Sequence, residues 1–210
     1  MTATLEDRPA TEVRHGELRA WVEHLDVPKG LRIEIIRGTI MMSPTPSFKH
    51  GAIVRRLYDQ LAPQLAEDMV AQPVYSIAAP DNGDDFCWPD LVVVPAAIEE
   101  EEGWLLSADT VELVVEVVSP NNPANDTVVK PEEYARWSVP MYLMIDPRNG
   151  TVRLHWDPAP DGYRTRTDIA FGETLTLQGP LKDIEIDTSD FPTYEKKERG
   201  SAAKPPKPES

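Results

Sequence analysis

The spacing of apolar and polar positions changes along the chain, and each change marks an element. Between Glu17 and Asp26, Leu18, Trp21, Val22 and Leu25 recur at helical spacing, which predicts a short amphipathic helix ended by Pro28 and Gly30. RIEIIRGTIMMSP then reads as two strands joined at Arg37-Gly38, a hairpin broken by Pro44 and Pro46. Ile53, Val54, Leu57, Leu61 and Leu65 predict a helix over 47–66, bent at Pro63. MVAQPVYSIAA predicts a strand interrupted at Pro73, and FCWPDLVVV leads from the loop PDNGDD into a short strand.

VELVVEVV is almost continuously apolar and branched, the pattern of a central strand covered on both faces. Ser119-Pro120 ends it, NNPAND has turn chemistry, and PEEYARW predicts a helix with Pro131 in its first turn. VPMYLMID is a further buried strand, followed by an antiparallel series, TVRLHWD, YRTRTDIAF and ETLTLQ. The pattern predicts a single α/β domain over 17–190, between a flexible N-terminal arm at 1–16 and a disordered, charged and proline-rich tail at 191–210.

Composition narrows the function. The start lacks the basic and apolar regions of a secretory signal, and no apolar run approaches the roughly 18 residues of a membrane span, so the expected location is cytoplasmic, with no membrane partner. One cysteine, Cys87, allows neither an intrachain disulfide nor a cysteine zinc cluster, and the four histidines have no metal-binding spacing. A net charge of -15 argues against a general nucleic-acid binder. Part of that excess is the local run Glu99 to Glu102, whose field is screened within about 8–10 Å at ordinary salt. Arg32, Arg37, Lys49, Arg55 and Arg56 remain candidates for a cationic patch.

The candidate chemistry begins with a carboxylate in the wrong place. Glu116 interrupts the apolar run LVVEVV, where an unpaired charge would lose its hydration. Asp90, in WPDLVVV, also stands where a strand meets a loop. On neighbouring strands the two could converge on one divalent cation, because hard ions prefer oxygen ligands. The alternatives are a turn residue for Asp90 and a buried ion pair for Glu116. Lys130 follows the Glu116 strand and turn, and could return its ammonium group to that point, orient a water and offset charge on a phosphate. Glu34 reads as a half-exposed strand position, Asp126 as a turn or cap, and His50 as a residue of a helix's first turn. No phosphate loop, dinucleotide fingerprint, nucleophile elbow or EF-hand loop is present.

Taken in order, RIEIIRGTIMMSPTPSFKHG, WPDLVVV and VVEVVSPNNPANDTVVKPEEYARWSVPMYLMIDPRNG resemble the Uma-two family of restriction-endonuclease-like proteins, within the PD-(D/E)XK nuclease superfamily. The family pattern falls on Glu34, Gly38, His50, Pro89-Asp90, Glu116 to Pro120, Asp126, Lys130 and Tyr134. The resemblance implies a restriction-endonuclease-like α/β core: a mixed central β-sheet flanked by helices, with additional antiparallel C-terminal strands. It implies that Asp90 and Glu116 bind magnesium or manganese, with the carbonyl of Val117, and that Lys130 is the catalytic lysine. Glu34 would bind a second ion or orient water. The chain departs from the wider superfamily at Val118, where Glu-x-Lys would place its lysine. Lys130 must then arrive from another part of the backbone.

The expected activity is metal-dependent endonucleolytic hydrolysis of DNA, and two related sites readily cut both strands, so a homodimer is compatible with it. A second expectation is a catalytically weak or inactive module that binds nucleic acid or protein on the same fold. A third is a hydrolase of a smaller phosphate ester.

Overall fold

Strict alternation along three buried strands sorts their side chains between two layers. In β8 (Leu113–Val117), Leu113, Val115 and Val117 join one apolar cluster, while Val114 joins the other. The neighbours β6 (Leu91–Pro95) and β9 (Met141–Asp146) divide in the same way, with Leu91, Val93, Leu143 and Ile145 on one side and Val92, Val94, Tyr142 and Met144 on the other. The computed structural model describes residues 16–194 apart from Val74 and Asn121. The expected arm therefore lies outside the described residues except for Gly16, as does the tail beyond 194. The packed body runs past 190, since Phe191 joins the core beside the larger sheet.

The larger sheet has six strands in the order β11-β10-β9-β8-β6-β3, with β3 at Met69–Gln72, β10 at Thr151–Ala159 and β11 at Gly162–Ala170. Its β8–β9 pair is parallel and the others are antiparallel, which makes it mixed. One face is covered by α2 (Phe48–Leu61) through Ile53, Leu57 and Leu61, and by the ribbon of β12 (Thr174–Thr176) and β13 (Glu185–Asp187). Ser47 caps α2 by accepting a hydrogen bond from the His50 amide, and Pro63 falls in a short 3-10 turn after the helix.

The other face meets α3 (Lys130–Arg136) and a second sheet of five strands, ordered β2-β1-β5-β4-β7. Its strands are β1 (Leu31–Ile36), β2 (Thr39–Pro44), β4 (Ser76–Ala78), β5 (Phe86–Cys87) and β7 (Leu105–Ser107). A short helix, α1 (Glu17–Val22), packs Val22 into the cluster on the far side of this sheet.

Two runs read as single strands in the sequence are thus split between sheets. The chain leaves the larger sheet after Gln72 and enters the smaller one at Ser76; it returns between Cys87 and Leu91. Pro73 and Pro89, which lack a ladder donor, stand at these crossings. The turn expected in NPAND is instead a π-helical turn, Asn125–Val129, that runs directly into α3. Tyr142 fixes it by donating to the Asp126 carbonyl at 2.7 Å.

The β1–β2 hairpin turns through Arg37 and Gly38 with φ of 54° and 66°, the left-handed pair of a two-residue turn. Buried Asp85 accepts both turn amides, Arg37 N at 3.0 Å and Gly38 N at 2.8 Å. From the same turn, Arg37 donates to Glu132 and Glu133 of α3, each at 2.6 Å. These bonds tie β1 to the helix that carries Lys130.

Candidate active site

Alternation places two glutamates on facing layers. Glu116 shares its face of β8 with Val114, and Glu34 shares its face of β1 with Ile36, both of which belong to the cluster between the sheets. Lys130 enters this layer from the first position of α3. Its Nζ lies 2.7 Å from Glu116 Oε1 and 2.8 Å from Glu34 Oε1, with Asp126 Oδ1 at 3.9 Å. The side chains of Lys130, Glu116 and Glu34 are at most 5% exposed. The carboxylate that interrupts an apolar strand therefore has a buried ammonium partner, shared with a second glutamate.

Each member is held by a further bond. Tyr134, one turn beyond Lys130, donates its hydroxyl to Glu116 Oε1 at 3.2 Å. Glu34 Oε1 accepts the Trp88 amide at 2.8 Å, where the chain crosses between sheets. Asp126 accepts the Ser119 amide at 3.2 Å.

Asp90 lies one strand away and is locked to β8: its Oδ2 accepts the Val117 amide at 2.8 Å, and its own amide donates to the Val115 carbonyl at 3.1 Å. Oδ1 faces His50 Nε2 at 2.8 Å, without hydrogen-bond alignment, and the Arg32 guanidinium at 3.8 Å. Arg32 also lies over the Trp88 ring, 5.1 Å from its centroid.

These groups line one open cleft of about 530 Å³, which Asp90, Glu116, Val117, Lys130, Glu34 and Asp126 all reach. Burial raises the carboxyl pKa of Glu116 well above its usual range; Lys130 pulls it down, and Asp90, Asp126 and Glu34 push it up. Asp126 is raised for the same kind of reason. Burial depresses Lys130, but Glu116, Glu34 and Asp126 outweigh it and leave the ammonium well above its ordinary pKa. Lys130 is therefore cationic at neutral pH.

Asp90, Glu116, Val117, Lys130, Glu34, Asp126 and His50 all line this cleft, with two changes of character, whereas of the cationic candidates only Arg32 does. Glu34 is buried, not half-exposed, because the smaller sheet packs this face of β1 against the larger sheet. Asp126 belongs to a helical turn, four residues before Lys130, and is not a turn or capping residue. The sequence position of His50, the Asp90 partner, gives it little weight; Arg32 is legible only as a candidate for a cationic patch, and nothing local to Trp88 marks it as lining the cleft.

The comparisons with known proteins give the family and the fold. The Uma2 family, described as "Putative restriction endonuclease", matches residues 19–189. The chain belongs to the Uma2 family. A solved structure of "a putative nuclease belonging to DUF820" from Anabaena variabilis ATCC 29413 matches with a TM-score of 0.64 and 18% identity, over 83% of this chain and 96% of that one. At that identity the likeness shows a shared fold. None of the curated proteins matches the chain.

The donor set bears on which cation could bind. Among the described residues, no three His, Cys, Asp or Glu side chains form a ready-made metal-holding group. What this Uma2 cleft offers is the carboxylates of Asp90 and Glu116, with Val117 lining it beside them. That suits magnesium or manganese better than a caged ion, since magnesium is held by one or two carboxylates and keeps several waters.

Proposed function

We propose that this chain is a metal-dependent endonuclease that hydrolyses DNA phosphodiester bonds at the Asp90–Glu116–Lys130 cleft. The observation that carries the reading is the buried ammonium of Lys130 bracketed by Glu116 and Glu34 at the floor of an open cleft. Val118 stands where the superfamily lysine would be, but α3 delivers an ammonium group to the same carboxylate.

Asp90 and Glu116, with the Val117 carbonyl, would hold magnesium or manganese. Bound there, the ion supplies a Lewis acid that makes water more acidic and offsets charge on the phosphate. Glu116, Glu34 and Asp126 share Lys130, Asp90 adds to the repulsion on Glu116, and that repulsion favours an added cation. At Asp90 Oδ1 that cation competes with His50 and Arg32.

Lys130, cationic and fixed, donates hydrogen bonds; it orients the attacking water and stabilises negative charge gathering on the phosphate. Its raised pKa rules it out as the general base. Glu34 positions Lys130 and, through the Trp88 amide, the crossing between the sheets. Tyr134 holds Glu116 in the rotamer that meets Lys130.

The test is incubation of supercoiled plasmid and single-stranded DNA with the purified protein in magnesium, manganese or EDTA. Cleavage in either metal and none in EDTA is expected. Cutting that persists in EDTA would refute metal dependence. No cutting by folded protein under any condition would favour the second reading, a binding module on this fold.

A further inference from the structure

A second groove, of about 890 Å³, runs along α2 and joins the cleft where both are lined by Arg32, His50 and Asp90. The α2 residues that line it follow helical periodicity: Phe48, Gly51, Arg55 and Tyr58 recur every three or four residues along one face. The Phe48 side chain is 100% exposed, and Tyr58 is 40% exposed. An aromatic ring wholly in water at the rim of a cleft contributes no packing to the fold. Gly51 is equally unexplained by the fold. It sits inside a helix, where glycine is disfavoured, and a Cβ at that position would meet nothing within 4 Å. The helix surface beside Phe48 is thus kept low although no protein atom requires it.

The lining also opposes the charge of the chain. Two arginines, Arg32 and Arg55, face the groove with a single carboxylate, Asp90, in a protein of net charge -15. Arg55 is 64% exposed while paired with Asp59 on the next turn.

We propose that this groove receives an unpaired nucleic-acid strand, with one base stacked on Phe48 above Gly51 and the backbone running past Arg55 and Arg32 toward Asp90. The direction of the strand rests on the nuclease reading. An exposed ring recognises the face of a base, and in an intact duplex those faces are already stacked on one another. Single-stranded or locally unpaired DNA is therefore the preferred substrate class.

The experiment is fluorescence anisotropy in EDTA at fixed salt, using one fluorescein-labelled oligonucleotide alone and annealed to its complement, with wild type, Phe48→Ala and Gly51→Leu. Light scattering follows the mass of each protein. Base–aromatic stacking corresponds to about five-fold or more in affinity. Phe48→Ala and Gly51→Leu should each weaken single-strand binding by about that factor, leave duplex binding unchanged and melt no lower than wild type. A smaller single-strand loss in Phe48→Ala, or an equal loss for duplex, overturns the proposal. So does a wild-type dimer that Phe48→Ala converts to monomer with strand affinity intact, since the occupant would then be a second copy of the chain. Phe48 lies outside the proposed catalytic groups, which keeps the two readings separable. Cleavage of duplex alone, unaffected by Phe48→Ala, overturns this inference and leaves the nuclease standing. Phe48-dependent strand binding by a protein that cleaves nothing does the reverse.

Discussion

Replacing Lys130 with methionine keeps most of the side-chain volume and removes the charge. Glu116 and Glu34, at 2.7 and 2.8 Å from the ammonium and at most 5% exposed, would be left without it. Removing one partner of a buried ion pair costs about 3–5 kcal/mol. The orphaned acids can limit that cost by taking up protons. Glu116 is already raised by burial and held down by Lys130, so its pKa climbs further in the variant. A carboxyl whose folded pKa exceeds its unfolded value binds more protons when folded, and its stability contribution falls as pH rises between the two. The loss is therefore largest at alkaline pH. Urea unfolding followed by tryptophan fluorescence should show Lys130→Met destabilised by about 3–5 kcal/mol at pH 8 and by at least ~1 kcal/mol less at pH 5. Adding Glu116→Gln should recover part of the loss. A cost below about 1 kcal/mol at pH 8, or one that does not vary with pH, would refute the buried bracket.

Two further outcomes follow from groups outside the cleft. His155 is pushed down to about 4 from 6.5, first by burial and then by Arg153, so its folded form resists protonation. Its contribution is present above about 6.5 and is lost as pH falls toward 4, an effect on the order of 1–2 kcal/mol once partial exposure is discounted; His155→Phe should flatten the stability profile in that window. Asp85→Ala leaves the Arg37 and Gly38 amides without their carboxylate and should cost about 1–3 kcal/mol by thermal melting, with an unchanged melting temperature counting against the role assigned to it.

Much of the core could be read from the residues. The apolar runs of β6, β8 and β9 predict buried strands, and in the structure Val92, Val114 and Glu116 lie on the face that the alternation gives them. Glu116 was conspicuous because a charge in such a run demands a partner. The sheet crossings were not legible, since β4 has three residues and β5 two, too few to show a period. Glu34 looked half-exposed for a related reason: alternation distinguishes two faces but does not reveal that both are covered. The π-helical turn carrying Asp126 was hidden by NPAND, whose residues favour turns. His50 meets Asp90 only because α2 docks beside β6, a contact forty residues long in sequence that no local pattern encodes.

The most direct test of the central claim is magnesium- and manganese-supported cleavage by wild type beside Glu116→Gln, which keeps the shape of the side chain and an acceptor for Lys130 and Tyr134. With both proteins shown to be folded, cleavage by wild type and its loss in the variant is the predicted result. Equal cleavage by the two proteins would place the chemistry somewhere other than this cleft.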